Sequence, residues 1–62
     1  MRKQEFKKLR KSIGYSQVRL AQEMGLYIRT ISRYETGYIA IPTVSELALR
    51  YIADKAKKQE RK

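Results

Sequence analysis

Neither cysteine nor histidine occurs among the 62 residues. Their absence removes disulfide staples, thiolate nucleophiles, the usual zinc ligand sets and imidazole acid–base chemistry together. What fold there is must rest on apolar packing. A chain this short buries a low fraction of the surface its unfolded form exposes, so one small core of modest stability is expected. Long apolar runs are missing too, and none approaches the roughly 20 residues that a membrane-spanning helix needs. The start, Met-Arg-Lys-Gln-Glu-Phe-Lys-Lys, is charged throughout and unlike a secretory leader, whose bases are followed by an apolar run. A soluble chain in a reducing, cytoplasmic compartment is the expectation.

Acids are scarce. Six Asp and Glu face fifteen Lys and Arg, a net charge of +9, and a surplus of that size makes a polyanion the natural partner, nucleic acid first. The surplus is uneven: residues 2–11 carry +5, residues 12–49 carry none and residues 50–62 carry +4. A neutral middle that recognises, helped by two basic arms, fits this pattern; basic ends that serve only solubility are the other reading. The carboxylates do not gather for catalysis. Glu5, Glu23, Asp54 and Glu60 fall on polar helix faces among bases, Glu35 and Glu46 take structural positions, and no phosphate-cradling glycine loop occurs. Neither an enzyme nor a metal or cofactor carrier is expected.

What is present is helical punctuation. Residues 2–13 place Phe6, Leu9 and Ile13 on one stripe, and Gly14 stops that helix. Ser16 caps a second helix, with Val18, Leu20, Ala21 and Met24 as its apolar positions and Gly25 as its end. A third begins near Tyr27 or Ile28, buries Ile31 and Tyr34, and runs to Thr36 before Gly37 breaks it. Residues 38–42 read as an ordered, unusually apolar loop ending in Pro42. Thr43 and Glu46 form the pattern of a capping box, opening a fourth helix with Val44, Leu47, Ala48 and Tyr51 on one face. From Lys55 onward little remains to bury, and the helix is expected to fray. The chain divides into a domain at 1–54 and a basic tail at 55–62.

The decisive stretch is 17–37. Ala21 is small where two helices cross closely, and Gly25 supplies the positive φ of the tight turn between them. With Leu20, Met24, Leu26, Ile31 and Tyr34 inward, the third helix turns Ile28, Arg29, Ser32, Arg33 and Thr36 outward, with two guanidiniums one turn apart. Either arginine can bond guanine O6 and N7 as a fork, or instead hold a phosphate. Ile28 offers an alkyl group to a thymine methyl; Ser32 can bond a base or a sugar-phosphate oxygen.

Phe-Lys-Lys-Leu-Arg at 6–10, Gly-Tyr-Ser-Gln at 14–17, Leu-Ala at 20–21, Gly25, Thr-Ile-Ser at 30–32, Tyr34-Glu35, Gly37 and Pro42 together resemble the phage repressor and Cro (XRE) type of helix-turn-helix domain over roughly residues 6–52. The resemblance implies an all-α, compact four-helix domain of the lambda-repressor-like type, here without the usual fifth helix. It implies a DNA-binding transcriptional regulator, with repression the expected sign. The helix at about 28–35 enters the major groove, and the helix that starts at Gln17 lies across the backbone with its N-terminus toward a phosphate. Base contacts then fall to Ile28, Arg29, Ser32 and Arg33, and phosphate contacts to Gln17, Arg19, Tyr27, Thr36 and Tyr38. Arg10 and Glu35 coincide with positions that pair in some relatives. Tyr27 departs from the pattern, standing where a small capping residue is usual. A homodimer on a palindromic operator is expected, its half-sites about 34 Å apart.

Apolar Ile39, Ile41, Leu49 and Ile52 exceed the needs of a small core and suggest association, with Leu49 and Ile52 as a possible protein-partner surface. An antitoxin-type or other protein-binding module on the same fold is the competing function. A membrane-active peptide is opposed by Gly14, Gly25, Gly37 and Pro42, and an RNA binder lacks an aromatic stacking platform on strands.

Overall fold

The computed structural model describes residues 1–60, with side chains as far as Lys58. Four helices follow one another: α1 (Lys3–Ser12), α2 (Gln17–Met24), α3 (Ile28–Thr36) and α4 (Thr43–Glu60). The last two residues of the expected basic tail, 61 and 62, lie outside the described residues.

The first three helices end in the same closure. The amides of Tyr15, Leu26 and Tyr38 reach back five residues to the carbonyls of Arg10, Ala21 and Arg33, at 3.3, 2.9 and 3.0 Å. Each bond passes over a glycine in the left-handed region, where a side chain would clash with its own carbonyl. At Gly25 (φ +71°) this closure turns the chain from α2 into α3 within three residues. The helix starts differ more. Ser16 caps α2 by accepting the Arg19 amide at 3.1 Å, whereas Tyr27 stands at the start of α3 without a side-chain cap bond.

The start of α4 departs from expectation. Thr43 is its first helical residue, and the Glu46 amide bonds the Pro42 carbonyl at 3.0 Å. The Glu46 carboxylate does not complete a capping box. It accepts from the amino group of Met1 at 3.1 Å and from Arg50 Nε at 3.2 Å, because charged donors hold a carboxylate better than a backbone amide does. Those bonds, the amino terminus first and Arg50 next, hold the Glu46 carboxyl below its ordinary value of 4.5.

Each helix gives the centre one fully buried side chain: Phe6, Leu20, Ile31 and Leu49. Burying such a group stabilises by roughly 1.5–3 kcal/mol. Ala21 and Tyr34 complete the cluster, and the Phe6 and Tyr34 rings meet edge to face at 5.4 Å. Ile13, Ala53 and Ala56 extend it between α1 and α4.

Here the structure corrects the sequence reading of α4. The inward stripe is Ser45, Leu49, Ala53 and Ala56, with Ile52 partly buried beside it, while Val44, Leu47 and Tyr51 are 73%, 60% and 68% exposed. Leu49 is therefore unavailable to a partner, and Ile52 packs on the core. The physical reason lies in side-chain size: Ala53 and Ala56 let α4 sit against Ile13, and Ser45 is accommodated because its hydroxyl pairs with Tyr34 Oη at 3.0 Å. Nor does α4 stop having anything to bury at Lys55, since Ala56 lies inside the second cluster. Val18, expected among the apolar positions of α2, is half exposed. Among the described residues no helix is long and apolar enough to cross a membrane.

Candidate nucleic-acid interface

α3 has two opposed faces. Ile31 and Tyr34 lock it into the core, leaving Ile28, Arg29, Arg33 and Thr36 exposed and Ser32 half-buried. Tyr27, Ile28, Arg29, Thr30 and Arg33 line one shallow groove. Residues four apart on a helix hold their Cβ atoms about 5–6 Å from each other, so Arg29 and Arg33 form a single cationic edge. No acid offsets them, because the one carboxylate of α3 points the other way.

That carboxylate, Glu35, anchors the helix from behind. Arg10 Nε and Nη2 donate to it at 2.6 and 3.1 Å, and Arg10 Nη1 donates to the Tyr15 carbonyl at 2.7 Å. The side chains are 9% and 4% exposed. A planar guanidinium gripping a carboxylate with two bonds fixes orientation as well as distance. The end of α3 is thereby tied to the end of α1 and to the turn leading into α2.

Gln17 joins the same network, its amide nitrogen donating to Glu35 Oε1 at 3.0 Å. The sequence offered Gln17 only as an outward donor to a phosphate, and the structure instead turns one donor inward. The backbone amides of Gln17 and Val18 have no intrahelical acceptor by position, so the N-terminus of α2 still presents donors and its partial positive charge.

The remaining expected contacts are placed as follows. Tyr27 and Tyr38 are 83% and 75% exposed and bracket α3 at its two ends. The Arg33 guanidinium lies over the Tyr38 ring at 5.4 Å. Thr36 is exposed, its hydroxyl donating to the Arg33 carbonyl at 3.4 Å. Arg19 does not join this group. It stacks on Tyr15 at 4.1 Å and lines a separate groove between α2 and α4 with Met24, Tyr51 and Lys55. The Gln17–Glu35 bond and the Arg33–Tyr38 stack went unread in the sequence, since they depend on how helix ends meet and no local spacing signals them.

A family model described as helix-turn-helix matches residues 6–49, well over half of the chain. No curated protein and no solved structure gives a significant match. The four-helix architecture, the α2–Gly25–α3 turn and the matched span agree, and the chain belongs to the phage repressor and Cro (XRE) type of helix-turn-helix family, whose members are DNA-binding regulators.

Proposed function

We propose that the chain is a sequence-specific repressor that binds duplex DNA by laying α3 in the major groove. The observation that carries this is the outward edge of α3: Arg29 and Arg33 share one groove with Ile28, on a helix held from behind by Arg10 and Glu35. A guanidinium forked onto guanine O6 and N7 contributes about 1–3 kcal/mol of discrimination, provided its helix does not roll, and the buried pair supplies that rigidity. Ser32 and Ile28 serve as further base contacts.

Phosphate contacts then come from the N-terminus of α2 with Gln17, and from Tyr27, Thr36 and Tyr38; Arg19 joins them by leaving the Tyr15 ring. The basic arm at 2–11 adds attraction without choosing sequence. Two copies on a palindromic operator, with half-sites about 34 Å apart, occlude polymerase by occupancy.

The test is selection of duplexes from a random pool at a fixed salt concentration, repeated with Arg29→Ala and Arg33→Ala. A favoured site is expected, with preference relaxed at one position by at least one of the two variants. Replacing Lys7 or Lys8 should reduce the salt slope of binding by about one and leave the preferred site unchanged. Equal losses on all sequences for both arginine variants would overturn the assignment of base reading to α3.

A further inference from the structure

We propose that the outward face of α4, with the adjoining α3–α4 loop, is where two copies of this chain meet, an assignment that rests on the two-fold DNA-binding reading given above. Val44, Leu47 and Tyr51 stand at i, i+3 and i+7, and all three are more than half exposed. That spacing is the seam of a helix built to lie against another helix. Ile39 and Tyr38, 38% and 75% exposed, continue the apolar surface into the loop. Nothing in the chain covers it.

Charge identifies the occupant. From Tyr34 to Leu49 there is no Lys or Arg, in a chain where 15 of 62 residues are basic. The two acids of that stretch are already engaged, Glu35 by Arg10 and Glu46 by the amino group of Met1 and by Arg50. Two copies that each carry +9 repel everywhere except across such a patch, so a second copy approaches here at least electrostatic cost. DNA finds no cation to hold, and an acidic protein finds none either.

The stripe also matches itself. Antiparallel pairing about a two-fold axis beside Leu47 and Ala48 sets Val44 of one copy against Tyr51 of the other, and Leu47 against Ala48, large against small in both directions. This self-complementarity is what an isologous interface requires. The patch exposes on the order of 400 Å², about half of the ~800 Å² per partner in an interface of standard size. The free chain is therefore a weakly associating species, and the two half-sites of an operator bring the copies together.

The experiment compares the wild-type chain with Leu47→Glu, which places like charges beside the two-fold axis at an exposed position and leaves the core intact. Sedimentation equilibrium is run across a concentration series, thermal melting checks the fold, and binding is measured to a pool-selected duplex and to its isolated half-site. Wild type is expected to self-associate as concentration rises and to bind the two-half-site duplex cooperatively. Leu47→Glu should melt and bind the half-site like wild type, remain monomeric, and lose roughly tenfold or more of the cooperative gain. If Leu47→Glu associates and cooperates as wild type does, the face is wrong while the two-fold reading survives. If wild type occupies the full duplex as one copy and never self-associates, both fail, and the stripe is left for a different protein.

Discussion

Replacing Glu35 with glutamine tests whether the buried pair holds α3. The substitution keeps shape and removes charge, leaving the Arg10 guanidinium, 9% exposed, without its counter-ion. It also sets an amide group before three donors that now aim at a carboxylate: Arg10 Nε, Arg10 Nη2 and Gln17 Nε2. Removing one partner of a buried pair costs about 3–5 kcal/mol, most of it the desolvation of the charge left behind. A domain of 62 residues has about 3–9 kcal/mol of stability in all. Glu35→Gln is thus expected to lose at least about 3 kcal/mol, lowering the melting temperature by about 12–24 °C. The double variant Arg10→Met with Glu35→Leu should recover most of that, because apolar replacement of a whole buried pair is often neutral. A residue of about 1 kcal/mol remains for the Tyr15 carbonyl, which loses the Arg10 Nη1 donor. Urea unfolding followed by circular dichroism on wild type, both single variants and the double supplies the cycle. A loss below about 1 kcal/mol for Glu35→Gln, or a double variant equal to the sum of its singles, would refute the reasoning that desolvation governs this site.

Leu49→Ala should cost about 2–5 kcal/mol by opening a cavity in a fully packed site, whereas Leu47→Ala, two residues away and 60% exposed, should change unfolding midpoints little; chemical denaturation separates them. The folded-state pKa of Glu46 lies below its ordinary value, so the unfolded chain takes up that proton first. Its contribution is complete above about pH 5 and disappears as pH falls through the lowered value. Acid titration of wild type should accordingly be steeper there than that of Glu46→Gln. Tyr38→Ala should loosen base preference at the position read by Arg33 while Tyr38→Phe retains it, because the ring and not the hydroxyl seats the guanidinium. Equal affinity losses on all sequences in both variants would assign the hydroxyl to a phosphate instead.

The helix limits were legible because they are set locally. Glycine at 14, 25 and 37 marks the three closures whatever the helices later pack against, and Ser16 caps α2 within its own turn. The facing of α4 was not legible. Its sequence carries two apolar stripes, and the one with the bulkier residues, Val44, Leu47 and Tyr51, looks the better core. Tertiary packing chose the other, since Ala53 and Ala56 permit close approach to α1 and the hydroxyl of Ser45 finds that of Tyr34. The outward set on α3 followed from a helical repeat about buried Ile31 and Tyr34. Arg10 and Glu35 lie 25 residues apart, beyond the reach of any local pattern, and only the family resemblance pointed to their pairing. Gln17 was read as facing solvent because its acceptor sits on another helix.

The central claim is that α3 presents the DNA-reading surface. Backbone amide resonances followed by NMR during titration with a pool-selected duplex test it most directly. Perturbations are expected to concentrate at Gln17 and Val18, from Tyr27 to Arg29, and at Ser32, Arg33, Thr36 and Tyr38, with Lys7 and Lys8 moving in a salt-sensitive way. Perturbations centred on Arg50, Asp54 and Lys57 of α4, with the outward positions of α3 unmoved, would contradict it.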